Sequence, residues 1–447
     1  MGVILAALPA RGESTKEELM AASDFRQIVQ TAKQKVFPAV VFIRVLSENY
    51  ESGRKQNVES TGSGVIVSED GRVLTNWHVI DNAVEIRCLL FDGRAATATI
   101  VGSDKDTDLA LLQLESKPTD PKFPFAQIGD SDKLTEGDFV MAMGAPWGLS
   151  RSVSIGIISC TRRYLTDVSE YNLFLQTDAS ISPGNSGGPL VDTEGRVVGL
   201  NSRGAMQGGD LGFAIPASTL KTMLPRLAEF GAGNWAYTGI RLQPLRDFTR
   251  DMYFDGTDGV IVAQAEPNSP AADAGVQTRD RILKINGKSI TALTEEDLPA
   301  VRERLALAEA DKPMELLVRR GAEELTLKVT PRIKGKTQGE QKDFPRWDFT
   351  AASINQFDNA DLYFHRKQGV FVKGIKQPGN AVTSGLQPND IVLRIGQGEI
   401  KSLEELTTAH QAAMTNVDKE HRILLTVLRN GMMRQVVLDF SRDYAKQ

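Results

Sequence analysis

The chain has 447 residues, with 52 basic against 57 acidic side chains and a net charge of −5. That length suits two or three domains. The near balance of charge implies no general attraction to nucleic acid or an anionic membrane, and no run approaches the roughly 18 apolar residues that a bilayer-spanning helix needs.

Residues 1–38 read as an N-terminal helical segment, with Ser14 and Glu17 at capping-box spacing. Met1–Ala10 is apolar but short, lacks a positively charged leader, and offers a poor cleavage site at Ala7-Leu8-Pro9-Ala10. It fits at most the tail of a truncated signal peptide. Short apolar runs with Gly, Asp and Asn between them then recur: Val40–Val45, Gly64–Val67, Arg72–Leu74, Val84–Leu90, Ala98–Val101, Leu109–Leu114, Phe139–Met143, Ser152–Ser159, Val197–Leu200 and Gly212–Ile215. Regular short strands with this punctuation predict an all-β barrel or sandwich over residues 39–229. Cys88 and Cys160 are the only cysteines and lie in strand-like runs. Buried free thiols are the commoner outcome there, with a bridge left open. No Cys/His cluster suggests a metal, and no cofactor is expected.

The richest segment is Ser182-Pro183-Gly184-Asn185-Ser186-Gly187-Gly188-Pro189. A serine needs a neighbouring base before it becomes a nucleophile. The glycines let consecutive backbone N–H groups of Gly184, Asn185 and Ser186 face one small space, where an oxyanion can be held. Of the four histidines, only His78 precedes residue 360, so it is the candidate base for Ser186. A third group must orient it. Asp104, Asp106 and Asp108 compete. The first two stand among polar residues and read as solvated loop charges, whereas Asp108 abuts Leu109-Ala110-Leu111-Leu112 and should be carried inward. A buried carboxylate needs a partner, which an imidazole N–H supplies. The order His78, Asp108, Ser186 is that of the chymotrypsin-like double β-barrel.

Thr61-Gly62-Ser63-Gly64-Val65-Ile66-Val67, Leu74-Thr75-Asn76-Trp77-His78-Val79, Thr107-Asp108-Leu109-Ala110, Gln176-Thr177-Asp178-Ala179 with Gly184–Leu190, and Leu211–Pro216 together resemble the HtrA/Deg family of serine proteases. The resemblance runs from about residue 25 onward. It implies a serine endopeptidase of protein quality control, acting on unfolded polypeptides in the periplasm or elsewhere in the cell envelope. It also implies a homotrimer or larger homo-oligomer built partly by the N-terminal helix. Asn185 stands where digestive enzymes carry an Asp that pairs with a freshly cut N-terminus. The family pattern therefore implies control by loops, here about 180–183, 201–210 and 162–172, rather than by zymogen cleavage. Ser180 would line the pocket floor without an acid. Ile181 and Leu211-Gly212-Phe213 would make the pocket small and apolar, favouring cleavage after Val, Ala or similar residues. Two other readings stand beside this one: a signalling protease cutting one native substrate, and a chaperone that sequesters unfolded chains.

Past residue 235 the chain repeats itself. Trp235–Ile240 echoes Trp347–Ala352, Gly259–Val262 echoes Gly369–Val372, and Ala274–Ile285 echoes Ser384–Ile395, the last two at one constant offset. Each copy continues with a helical stretch and a final strand pair. These copies look like two α+β PDZ domains in the permuted bacterial arrangement, at residues 235–332 and 346–441, joined by a polar, exposed linker at 333–345. A PDZ domain adds a peptide C-terminus as a strand and holds its carboxylate on backbone N–H groups. Tyr237-Thr238-Gly239-Ile240 would form that loop in the first copy. In the second copy Ala351 replaces the glycine, which leaves its peptide binding open.

Overall fold

The computed structural model describes residues 16–117, 121–146, 151–166, 168–204 and 211–444, with side chains from residue 24 on. Met1–Ala10 and the Ser14 cap lie outside the described residues, as do 205–210 of one control loop and 167 of another.

Helix α1 (Lys16–Val36) leads into the first barrel. Its strands are β1 (Val40–Asn49), β2 (Gln56–Ile66), β3 (Arg72–Thr75), β4 (Ala83–Leu89), β5 (Ala95–Asp104) and β6 (Leu109–Leu114), closed in the order β1-β2-β3-β6-β5-β4. The short helix α2 (Trp77–Ile80) follows β3. The second barrel is built from β7 (Phe139–Gly144), β8 (Ser152–Tyr164), β9 (Leu173–Thr177), β10 (Pro189–Val191), β11 (Val197–Gly204) and β12 (Gly212–Pro216). It closes in the order β10-β11-β12-β9-β8-β7. Alternation accounts for β1, where Ile43 and Val45 are buried and Arg44 is exposed. It does not account for β6, where Leu109, Ala110, Leu111 and Leu112 are all buried. One face of β6 lies in the barrel, and helix α3 (Ala217–Phe230) packs against the strand from the second barrel's end. Leu220, Met223 and Leu227 of α3 join the same apolar core.

Two further units follow. In the first, Ile240–Gln243, Val260–Ala265, Arg281–Ile285, Met314–Arg320 and Glu323–Val329 lie side by side in that order, with the helix Leu298–Ala306 beside them. In the second, Phe349–Ser353, Val370–Ile375, Ile391–Ile395, Arg422–Arg429 and Met432–Asp439 repeat that order, with the helix Leu403–Thr415. Each unit has its own core. The segment expected to be an exposed linker is partly structured. Ile333 pairs with Ala236, and Gln341–Phe344 is a strand of the second unit's sheet. Cys88 and Cys160 are free thiols in different barrels, and burial pushes the Cys88 thiol up to about 12.

Candidate active site

The site lies where the barrels meet. β3 runs into α2 and delivers His78, the β5–β6 turn delivers Asp108, and the turn before β10 delivers Ser186. Asp108 sits at φ 56°, a left-handed conformation in which Asp is among the better tolerated residues. Its carbonyl is anchored by Trp77 N–H at 3.1 Å and Asn76 Nδ2 at 3.2 Å. Those bonds tie the acid's turn to the segment that carries the histidine. The carboxylate, 4% exposed, lies 2.8 and 2.9 Å from His78 Nδ1. It also accepts His78 N–H at 3.1 Å and the Ser202 hydroxyl at 2.8 Å. With Nδ1–H donated to Asp108, His78 keeps Nε2 as an acceptor.

Ser186 Oγ donates to Ser202 O at 2.9 Å, and among the described residues no hydrogen bond joins it to His78. Ser202 therefore touches both ends of the site, its hydroxyl on Asp108 and its carbonyl on Ser186. The residues before Ser186 form a type II turn. Asn185 N–H donates to Ser182 O at 3.0 Å, Pro183 takes the second position and Gly184, at φ 100°, the third. The N–H groups of Gly184 and Ser186 have no acceptor among the described residues. Asn185, grouped above with the oxyanion donors, differs: its N–H closes the turn, and its buried side chain accepts from Ser152 Oγ at 3.1 Å.

Ser63 of β2 was not singled out from sequence. Its N–H donates to Ser186 O at 2.8 Å, and its hydroxyl donates to Gly184 O at 2.6 Å while accepting Ala145 N–H at 2.8 Å. Fully buried, it clamps the nucleophile turn to the first barrel. The only signal was its place in Thr61-Gly62-Ser63-Gly64. The glycine rule does show in that neighbourhood. A Cβ on Gly187 would lie 2.2 Å from Ser63 O, so the two barrels meet here without side chains between.

Two acids read as solvated are not. Asp104 is 7% exposed and accepts Thr107 N–H, Thr107 Oγ1 and Trp235 Nε1 at 2.9, 2.7 and 3.0 Å. Burial, reinforced by the charge of Asp106, pushes its carboxyl up to about 6 against those bonds. Asp106 pairs with Lys334 at 2.8 Å, both side chains largely buried. Both partners come from beyond the barrels, which is why local polarity misled.

Beside the nucleophile, Ile181 packs on Gly212, where a Cβ would stand 2.8 Å from Ile181 Cδ1, and Phe213 is buried behind them. Ser180 is exposed and its carbonyl accepts Ser154 Oγ at 2.6 Å. Leu211 is half-buried against the barrel core. In the first C-terminal unit, Gly239 is at φ 76° and a Cβ there would lie 2.2 Å from Ser269 Cβ, so the position demands glycine. Thr238, Gly239 and Ile240 line a cavity of about 440 Å³, bounded on its other side by Glu170 and Tyr171 of the β8–β9 connection and by Gln356 of the second unit. Tyr237 turns its hydroxyl to Glu266 and accepts Gln356 Nε2 at 2.7 Å.

The chain is similar to known proteins over most of its length. The trypsin-like peptidase domain matches residues 62–200, and the PDZ domain matches residues 261–320. The chain is 32% identical over 402 residues to a probable periplasmic serine endoprotease DegP-like of Chlamydia muridarum, covering 88% of this chain and 77% of that protein. It is 33% identical over 361 residues to the periplasmic serine endoprotease DegP of Escherichia coli, covering 79% and 72%. The solved HtrA-type protease AlgW with tripeptide superimposes with a TM-score of 0.60 at 32% identity, covering 69% of this chain and 97% of that one. The chain thus belongs to the HtrA/DegP family of serine endoproteases, with a chymotrypsin-like double barrel as its peptidase domain and a PDZ domain after it.

Proposed function

We propose that this endopeptidase degrades unfolded or damaged polypeptides in the periplasm through His78, Asp108 and Ser186, without a cofactor. The single observation that carries the chemistry is the Asp108–His78 pair at 2.8 Å, set beside a serine turn whose Gly184 and Ser186 N–H groups are open. Rotation about χ1 moves Ser186 Oγ from Ser202 O to His78 Nε2. His78 then takes the hydroxyl proton as Oγ attacks the scissile carbonyl. Gly184 and Ser186 N–H hold the resulting oxyanion, each donor contributing about 3 kcal/mol to the transition state. Asp108 stabilises the imidazolium, which protonates the leaving amine. Water, activated by the same imidazole, hydrolyses the acyl-enzyme.

The first C-terminal unit presents Tyr237-Thr238-Gly239-Ile240 to peptide C-termini, which enter beside Ile240–Gln243. The peptide-bound AlgW supports peptide recognition in proteins of this build. Residues 346–441 form a second PDZ domain, a reading supported by the shared strand order. The pocket at Ser180, Ile181 and Leu211–Phe213 takes small aliphatic side chains, and the chain assembles as a trimer or larger oligomer.

The test is degradation of a reduced, unfolded model protein by wild type and Ser186→Ala, with mass spectrometry of the products. Loss of substrate only with wild type, and cleavage mainly after Val or Ala, is expected. Equal loss with both proteins would reject Ser186 as nucleophile, and cutting mainly after Arg would reject the pocket assignment.

A further inference from the structure

The two C-terminal units share a strand order but differ at one edge. In the first, Ile240–Gln243 is the outermost strand of its sheet, and its far edge is unpaired among the described residues. In the second, the matching strand Phe349–Ser353 is covered. Gln341–Phe344 runs antiparallel along it, with Gln341 opposite Ala352, Lys342 opposite Ala351, Asp343 opposite Thr350 and Phe344 opposite Phe349. Ser353 N–H extends the pairing to Glu340 O at 2.9 Å.

A peptide that binds a PDZ domain adds itself as a strand at this edge, its terminal residue next to the loop that opens the strand. Gln341–Phe344 has the same direction, and its last residue lies at the turn leading into Phe349. Phe344 is 1% exposed. Its ring lies 5.3 Å from Phe349 and edge-on, 5.4 Å, to His410 of the flanking helix Leu403–Thr415. The Phe344 carbonyl accepts Asp348 N–H at 3.1 Å, where a ligand's carboxylate would take a backbone N–H from the loop. The chain then continues through Pro345, whose carbonyl is 2.8 Å from His410 Nε2. The register also places Ala351. That residue, expected from sequence to replace Gly239, lies instead inside the strand opposite Val372; the left-handed position of Gly239 is held by Asp348 at φ 59°, whose carbonyl accepts Lys376 N–H at 2.9 Å as that of Gly239 accepts Glu266 N–H at 2.8 Å.

We propose that residues 341–344 are a built-in ligand of the second unit, so that only the first unit accepts substrate termini. This rests on reading the second unit as a PDZ domain. The filled unit then serves as a docking body. Thr350 Oγ1 donates to Tyr50 O at 2.5 Å, and Lys373 pairs with Glu51 at 3.0 Å, both partners being in the β1–β2 hairpin of the protease domain.

The probe is a short synthetic peptide ending in Gln-Lys-Asp-Phe with a free carboxylate and a photoreactive group, added to the full chain carrying Ser186→Ala. Expected labelling falls on Ile240–Gln243 and Leu298–Ala306. Amides of 349–353 exchange at least about 100-fold more slowly than in an unfolded chain and do not change with peptide. Labelling of 349–353 or 403–414, or amides there that exchange freely until peptide is added, overturns the proposal. Phe344→Ser empties the pocket and is expected to gain labelling in the second unit, and a folded variant with no gain also overturns it. Should that variant not fold, amide exchange in the Ser186→Ala chain decides alone. Labelling in neither unit would reject peptide capture by the first unit, and exchange at 349–353 would still decide this proposal.

Discussion

Asp108 accepts hydrogen bonds from His78 N–H and Ser202 Oγ as well as facing His78 Nδ1, so its carboxylate is fully occupied and in one orientation. An Asn there would turn an amide N–H toward Nδ1 and force the proton onto the wrong imidazole nitrogen. Asp108→Asn is expected to fold and to lose about four orders of magnitude in kcat, as the same change does in trypsin-type enzymes. Far-UV circular dichroism beside the kinetics checks it, and a loss under tenfold would sink the assignment. Ser63→Ala removes the hydroxyl that bridges Gly184 O and Ala145 N–H. A ten- to hundredfold fall in kcat with little change in KM is expected, roughly the low end for removing one oxyanion donor, since the donors are loosened rather than deleted. Asp104 gives a pH signature. Its carboxyl, near 4 in the unfolded chain, stands at about 6 in the fold, mainly through burial and then through Asp106. The native state therefore binds more protons between pH 4 and 6. Stability from this group is lost as pH rises through that window, by up to about 3 kcal/mol. Relative to Asp104→Asn, the wild-type melting temperature should fall from pH 4 to 6 and then level off. A relative rise over that range would refute the assignment.

Among the elements, β2 and the nucleophile turn form the joint between barrels, and the joint depends on glycine. Gly187 is at φ 83°, and any Cβ there strikes the Ser63 carbonyl and Thr75 Oγ1, 2.2 and 2.3 Å away. Gly93 has a similar φ of 85° with nothing within 4 Å. Alanine at Gly93 should cost only the backbone term, about 1 kcal/mol, whereas alanine at Gly187 should cost more than about 3 kcal/mol and abolish activity. Urea denaturation of the two variants checks the contrast, and similar costs would mean the joint yields freely. The strands of the first barrel were legible where they alternate or are bounded by turn residues; of β2 only Gly64–Ile66 was read, because Asn57–Thr61 is exposed and mostly polar. Leu173–Thr177 and Pro189–Val191 were not read as strands. The first lies within a polar context and the second is three residues long, so only their neighbours β7, β8, β11 and β12 define them.

Over the whole molecule, the turn that carries Asp108 is also where the C-terminal units are fastened. Asp104 takes Trp235, Asp106 takes Lys334, and Lys105 pairs with Asp358 at 2.9 Å. From the second barrel, Asn172 Nδ2 donates to Thr107 O at 2.8 Å and Ser169 Oγ donates to Asp106 O. Lys334→Met leaves Asp106 unpaired beside Asp104. A loss of about 2 kcal/mol is expected, less than for a fully buried pair because the site keeps some water. A fall in kcat should accompany it, because a restraint on the Asp108 turn is gone. Calorimetry and single-substrate kinetics check both, and an unchanged melting temperature would refute the latch.

The sequence by itself determined the β-rich architecture, and it singled out His78, Asp108 and Ser186, of which the fold pairs the first two at 2.8 Å. A serine among glycines, a lone upstream histidine and an aspartate running into an apolar strand are local facts, and local facts survive folding because they set which side chains the backbone can bring inward. The repeat past residue 235 was legible for the same reason. Tertiary structure alone decided the rest. Asp104 and Asp106 became buried because Trp235 and Lys334 arrive from far along the chain. Ser63 became a clamp because two barrels meet at its strand. Asn185 lost its N–H to a turn whose geometry depends on Gly184. Gln341–Phe344 became a strand because an open sheet edge lay beside it. The contacts of Asp104, Asp106 and Ser63 join segments distant in sequence, and composition near a residue carries no record of what the fold will press against it; the Asn185 turn and the Phe344–Phe349 hairpin are local, but side-chain pattern does not record which backbone groups they pair.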